Sequence, residues 1–170
     1  MTPLRWLSLA ATLGAYAVIV LGGYVSASGF GLACPDWPTC RGSLIPPIDE
    51  PGVAVEWSHR LAAVVEGVLV LGLVVLVWWK HRARRDLVGL ATGSFVLLLV
   101  QTTLGFITVG TELNPAIVTL HLGTAVAFFA IVLLTAVVAW WPPRRTGPHP
   151  GPTRDNGPGD DRPPPPTDSM

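Results

Sequence analysis

Four apolar stretches decide what this chain can become: about Leu7 to Ser26, Leu61 to Trp79, Leu87 to Val109 and Ala116 to Trp141. Each is long enough to cross a hydrocarbon core of about 30 Å, which takes roughly 20 helical residues. Away from water every backbone polar group needs an internal partner, so such runs become helices. The expected fold is therefore all-α: a polytopic membrane protein with an up-down four-helix transmembrane bundle. Composition agrees, since 13% of the 170 residues are charged, against about a quarter in soluble domains, and mean hydropathy is +0.51. Formal net charge is zero, so the chain lacks the basic footprint of a nucleic-acid binder. The first stretch reads as a span rather than a cleaved signal: only Arg5 precedes it as a charge, and no convincing small-x-small cleavage site precedes the polar loop.

Lysine and arginine in the short loops give the orientation. The second loop is Lys80-His81-Arg82-Ala83-Arg84-Arg85-Asp86, and Arg144-Arg145 follows the fourth span. The first loop has Arg41 against Asp36, Asp49 and Glu50, and the third has only Glu112. Both termini are expected in the cytoplasm of a cell whose cytoplasmic membrane holds the protein, with loops one and three outside. Residues 1–141 form the expected membrane domain. Residues 142–170 hold ten of the seventeen prolines and almost no large apolar residue, which predicts a disordered Pro-rich cytoplasmic tail.

The chemistry concentrates at Val55-Glu56-Trp57-Ser58-His59-Arg60, at the head of the second span. Glu56 and His59 are three residues apart, about 60° around a helix. The fourth span has one ionisable side chain, His121. Spans two and four run in the same direction and are diagonal in an up-down bundle, so the two histidines, at similar depth, face each other across its core. Either they are core histidines bonded to carbonyls, or they ligate the two faces of an iron in a planar macrocycle, a role neutral imidazole often fills. Zinc would need more ligands. Arg60 either meets a haem propionate or snorkels to lipid headgroups.

Three further features stay open on the residues alone. Cys34 and Cys40, five residues apart between, face an oxidising compartment, so a disulfide is the default; a loop staple is favoured over an exchangeable redox pair. Gly22, Gly23 and Gly105 either pack helices closely or leave room for a flat ligand. Glu66, about 10 Å below His59, is either a relay carboxyl or a neutral acid bonded to a neighbouring helix.

Taken in order, the motifs resemble the haem A synthase family. They are Gly22-Gly23; Ser28-Gly29-Phe30-Gly31-Leu32-Ala33-Cys34-Pro35-Asp36-Trp37-Pro38-Thr39-Cys40-Arg41-Gly42; Glu56-Trp57-Ser58-His59-Arg60; Gln101 with Leu104-Gly105; and Leu120-His121-Leu122-Gly123. The resemblance covers roughly residues 5 to 141. It implies a membrane oxidoreductase that oxidises a ring methyl of haem O to the formyl group of haem A. It implies haem b as cofactor and haem O as substrate, with no other metal. His59 and His121 would be the axial iron ligands, Arg60 a binding residue, Glu56 the catalytic carboxylate, and Cys34 and Cys40 the outer pair with a structural or redox role. Family members usually carry eight spans in two halves; this chain has one half, which implies a homodimer or pairing with another half-size subunit. Haem O synthase and terminal oxidase assembly factors are implied as further partners. The chain departs from the family at Ser26-Ala27, where many relatives have a basic residue, and at Glu66, which matches no family motif. A half-size b-type cytochrome without synthase activity is the alternative. A quinone-using disulfide oxidoreductase ranks last, because it needs a second cysteine pair.

Overall fold

A computed structural model describes residues 3–141; the expected tail lies outside the described residues. Four helices account for most of them: α1 (Pro3–Ala27), α2 (Pro51–Lys80), α3 (Arg85–Gly110) and α4 (Pro115–Trp140). All four are long and apolar enough to cross a membrane. Each packs on two others, α1 on α2 and α4, and α3 on α2 and α4, which leaves α2 diagonal to α4 as the up-down connectivity requires.

Two helix starts follow from proline. Pro51 opens α2 and Pro115 opens α4, a position where the missing N–H is one the helix has no partner for. Asn114 caps α4 by accepting a hydrogen bond from the Ala116 N–H at 3.0 Å. The helix α2 begins at Pro51, so Glu56, His59 and Arg60 lie within it, in agreement with the helical spacing expected for Glu56 and His59. Its 30 residues make about 45 Å of helix, more than a hydrocarbon core needs, and its first turns carry the outer loop.

The core is packed at one end. At the end bearing the second loop, Leu4, Leu73, Val77, Leu87, Ala91 and Ala139 form one buried cluster. Ala11, Ala15, Val70, Phe128 and Val132 form the next layer. Towards the disulfide loop the layers stop: α4 has no buried residue before Phe128, and α2 has none between Glu56 and Glu66. A third small cluster, Cys34, Cys40 and Val53, belongs to the loop itself. Most buried polar side chains of the packed half close onto their own helix: Thr12 onto Ser8, Ser94 onto Leu90 and Thr135 onto Ile131. Arg5 and Trp140 clasp α1 to α4, with the Arg5 Nε donating to the Ala139 carbonyl and the Trp140 Nε1 to the Arg5 carbonyl.

Candidate functional site

His59 lies eight residues past Pro51 and His121 six past Pro115, about 12 and 9 Å along their helices. They therefore sit at similar depth on the diagonal pair, in the half of the bundle that side chains leave unpacked. Each ring rests on a glycine of the adjacent antiparallel helix. A Cβ added at Gly22 of α1 would stand 2.8 Å from Cε1 of His59, and one added at Gly105 of α3 would stand 3.7 Å from Cε1 of His121. Gly22 is thus filled by the imidazole, whereas Gly23 meets nothing within 4 Å. Both Nδ1 atoms are buried without a hydrogen-bond partner.

A buried ring nitrogen without a partner in a half-buried histidine calls for an explanation, and two of them at one level call for a shared one. No cluster of three or more His, Cys, Asp or Glu capable of holding a metal occurs among the described residues. The donor set is two imidazoles, which leaves the equatorial positions to something else. That suits iron held in a macrocycle and does not suit a bare ion such as zinc, which takes four protein or water ligands.

Gln101 fixes the α3–α4 side of the site. Its Nε2 donates to the His121 carbonyl at 3.1 Å and also bonds the Thr124 hydroxyl. In the sequence Gln101 stands out only as part of a motif; Thr124, its partner, follows His121 by three residues on the same helical face.

Glu56 and Arg60 are one turn apart and form a close ion pair at 2.6 Å with little solvent access. Neither stands alone. The Cys34 N–H donates to Glu56 Oε2 at 2.8 Å. Arg60 donates through Nη1 to the carbonyls of Asp36 and Thr39, at 2.6 and 2.7 Å, and through Nη2 to the Cys34 carbonyl at 2.7 Å. The pair therefore bolts the loop to α2. Arginine has five N–H donors, so only Nε–H is left without a partner among the described residues. These loop carbonyls are the functional partners that sequence reasoning could not find, because a main-chain acceptor carries no residue signature.

The loop has its own frame. A disulfide joins Cys34 and Cys40, and both residues are buried. Cys40 and Ser43 exchange backbone hydrogen bonds of 2.9 and 3.1 Å, and Arg41 grips Glu50 through two bonds of 2.7 Å. Asp36 accepts from the Thr39 hydroxyl and the N–H groups of Arg41 and Gly42. These donors, the Thr39 hydroxyl foremost, hold its carboxyl down to about 2. Thiol–disulfide exchange needs access to sulfur, so the burial of both cysteines supports the staple over the exchangeable pair.

The sequence profile of the cytochrome oxidase assembly protein family matches residues 5–54 and 49–156, nearly the whole bundle. The chain belongs to this family. Among its relatives, the Heme A synthase of Bacillus pumilus is 37% identical over 139 residues, covering 81% of this chain and 45% of that protein. The Heme A synthases of Bacillus licheniformis and of an Exiguobacterium species are 34% and 32% identical, over 81% and 75% of this chain and 45% and 42% of theirs. The chain spans less than half the length of these curated relatives. The family membership agrees with the resemblance read from the motifs.

Proposed function

We propose that this chain is a haem-binding membrane oxidoreductase that converts a ring methyl of haem O to the formyl group of haem A. One observation supports the haem part most directly: two half-buried imidazoles, each with a buried Nδ1 that lacks a hydrogen-bond partner, lie in the unpacked half of an otherwise packed bundle. The reaction part rests on the family and on relatives that are Heme A synthases. In this reading His59 and His121 are the residues that would hold the haem iron. Haem b, when bound, supplies electron transfer, and haem O supplies the methyl group that is oxidised.

The chain's own residues do the rest. Gly22 lets the Cε1 edge of the His59 ring close on α1, and Gln101 holds the backbone at His121. Arg60 offers its Nε–H to a propionate, the donor that the loop carbonyls leave over. Glu56 is the proton acceptor one turn from His59. Both of its oxygens are engaged by Cys34 and Arg60, so accepting a proton weakens the anchoring of the disulfide loop. Catalysis and loop docking are thereby coupled.

The basic second loop argues for cytoplasmic termini and an outer disulfide loop. A half-length chain suits a homodimer, or pairing with another half-size subunit, that restores eight spans. Haem O synthase and oxidase assembly factors are the proposed neighbours in the bilayer. The test is expression with a haem O source, followed by extraction and chromatography of the haems. Haem A or a hydroxylated intermediate is the expected product, and unchanged haem O under turnover conditions sinks the proposal.

A second reading has an observation behind it. Since Glu56 is already fully used as a structural anchor, the chain could be a half-size b-type cytochrome. Glu56→Gln separates the two: it removes the basic carboxylate, and its single amide oxygen keeps one of the two bonds to Cys34 and Arg60. A synthase loses turnover and keeps its haem spectrum, whereas a cytochrome is indifferent.

A further inference from the structure

The face of α2 turned away from its neighbours carries a continuous stripe of large apolar side chains. Leu61, Val64, Val68, Leu71 and Val75 are all exposed, and all lie within about 40° of Trp57 around the helix axis. On the opposite face Glu66 is 2% exposed and shut against Gly14, with neither oxygen partnered. Trp57 marks one end of the stripe, and the exposed Trp78 and Trp79 mark the other. Trp57 and Trp79 are about 33 Å of helix apart, close to a hydrocarbon core of about 30 Å. They therefore fall at its two interfaces, where tryptophan collects.

The disulfide loop brings a second apolar feature to the level of Trp57. The indole rests on the Cys34, Cys40 and Val53 cluster, and its Nε1 donates to the Leu44 carbonyl at 3.0 Å. Here the chain runs Ser43-Leu44-Ile45-Pro46-Pro47-Ile48, without a charge. Leu44, Ile45 and Ile48 are 75%, 77% and 60% exposed, while Pro46 between them is buried and holds the tip in place. The two bonds from Arg41 to Glu50 close its base. Its backbone is largely satisfied from within. Ser43 pairs with Cys40, the Ser43 hydroxyl bonds both the N–H and the carbonyl of Ile45 at 3.2 and 2.9 Å, and the two prolines bring no N–H. Only the N–H groups of Leu44 and Ile48, at the two ends of the tip, have no partner among the described residues.

Water, protein and lipid make different demands on such a tip. Water disfavours three large apolar side chains held outward together. A second chain or another protein segment seated here would also lie along the α2 stripe, which starts at the same level. Helices associate in a membrane through small residues that let backbones approach, and the stripe has none. The tip alone is three side chains, well short of the roughly 800 Å² per partner of a stable interface. Lipid asks for what the tip has: no charge, backbone groups closed internally, and the remaining N–H groups at headgroup depth.

We propose that Leu44, Ile45 and Ile48 form a finger seated in the bilayer interface beside Trp57, with the lipid surface as its partner. The disulfide loop is then held from two sides, by Arg60 within the bundle and by the bilayer outside it. The inference needs the membrane spans and not the haem reading.

The experiment places the full chain in phosphatidylcholine–phosphatidylglycerol vesicles with a nitroxide on Ile45→Cys, Ile48→Cys or Asp49→Cys. The native cysteines are buried in their disulfide and stay unlabelled. Collisional relaxation compares oxygen, which concentrates among acyl chains, with a water-soluble nickel chelate. Labels at 45 and 48 are expected to favour oxygen, with the preference reversed at 49. Nickel favoured at 45 and 48 means that the tip faces water and overturns the proposal. Shielding from both reagents means that protein covers the tip and overturns it too, dipolar broadening between labels then identifying a second copy. Leu44→Ser with Ile48→Ser is expected to abolish the oxygen preference at 45; a preference that survives belongs to the label and overturns the assignment. Benzoyl-phenylalanine in place of Ile45, irradiated in cells, is expected to yield lipid adducts, and a crosslink to any protein overturns the lipid partner.

Discussion

Gly22 and Gly105 each lie beneath an imidazole, but with different clearance. At 2.8 Å from the His59 ring, the methyl of Gly22→Ala overlaps a side chain that the helix cannot move without turning its ring. At 3.7 Å from His121, Gly105→Ala makes an ordinary contact. The expected outcome is a loss of the bis-imidazole low-spin haem spectrum in Gly22→Ala and its retention in Gly105→Ala. Equal spectra in the two variants would mean that His59 does not hold iron in this position. Arg60→Ala tests the anchor. It leaves Glu56 buried without its cation, and breaking such a pair costs about 3–5 kcal/mol. The loop is then expected to open, read as faster reduction of the Cys34–Cys40 bond by a water-soluble phosphine than in the wild type. An unchanged rate would show that the loop is held by its internal bonds alone.

The disulfide loop is the element whose order depends on acid. Asp36 is held at about 2, from an ordinary value of 3.8, by the Thr39 hydroxyl and the N–H groups of Gly42 and Arg41. Arg41 likewise holds Glu50 below its ordinary value. For carboxyls depressed in the folded state, the stabilisation is fully present above the unfolded value and fades as pH falls through the folded one. Loop protection is therefore expected to be flat above about pH 4 and to fall between about 4 and 2, measured as limited proteolysis at Arg41-Gly42 with an acid-tolerant enzyme or as disulfide reduction. Asp36→Asn, which does not titrate, should lower loop protection at neutral pH and flatten that loss; a profile indistinguishable from the wild type would remove Asp36 from the account. How much of this element was legible follows from where its partners lie. Cysteine spacing predicted the disulfide, and helix length predicted the spans. Proline at residue 51 was visible too, but hydropathy alone started α2 at Leu61, because Glu56, Ser58, His59 and Arg60 interrupt the apolar run while leaving the helix intact. The grip of Arg60 on three loop carbonyls was not legible, since main-chain acceptors are the same whatever the residue. Nor was Glu66's lack of a partner, which depends on what α1 places opposite it.

At the scale of the whole molecule the bundle has two ends with different sources of stability. The end near the second loop is closed by two apolar layers, built on Leu73, Val77 and Leu87 and on Val70, Phe128 and Val132. The histidine end has none, and depends on the bolted loop and on whatever fills the space between α2 and α4. A ligand that binds only the folded state stabilises what it touches, and local opening follows local packing. Removing haem should therefore loosen the molecule unevenly. Hydrogen exchange on the haem-free and haem-loaded protein in detergent is the measurement. Amides around His59, Gly105 and His121 are expected to lose protection by at least about tenfold, the effect of 1.4 kcal/mol, while those around Leu73, Leu87 and Val132 stay within about twofold. Gln101 lies between the two regimes, since its bonds to His121 and Thr124 cross from α3 to α4 without the ligand, so the boundary should fall near it. Uniform loss along all four helices would mean that haem holds the whole bundle together. Uniform protection would place the ligand elsewhere and leave the unpacked half to be filled by a second chain.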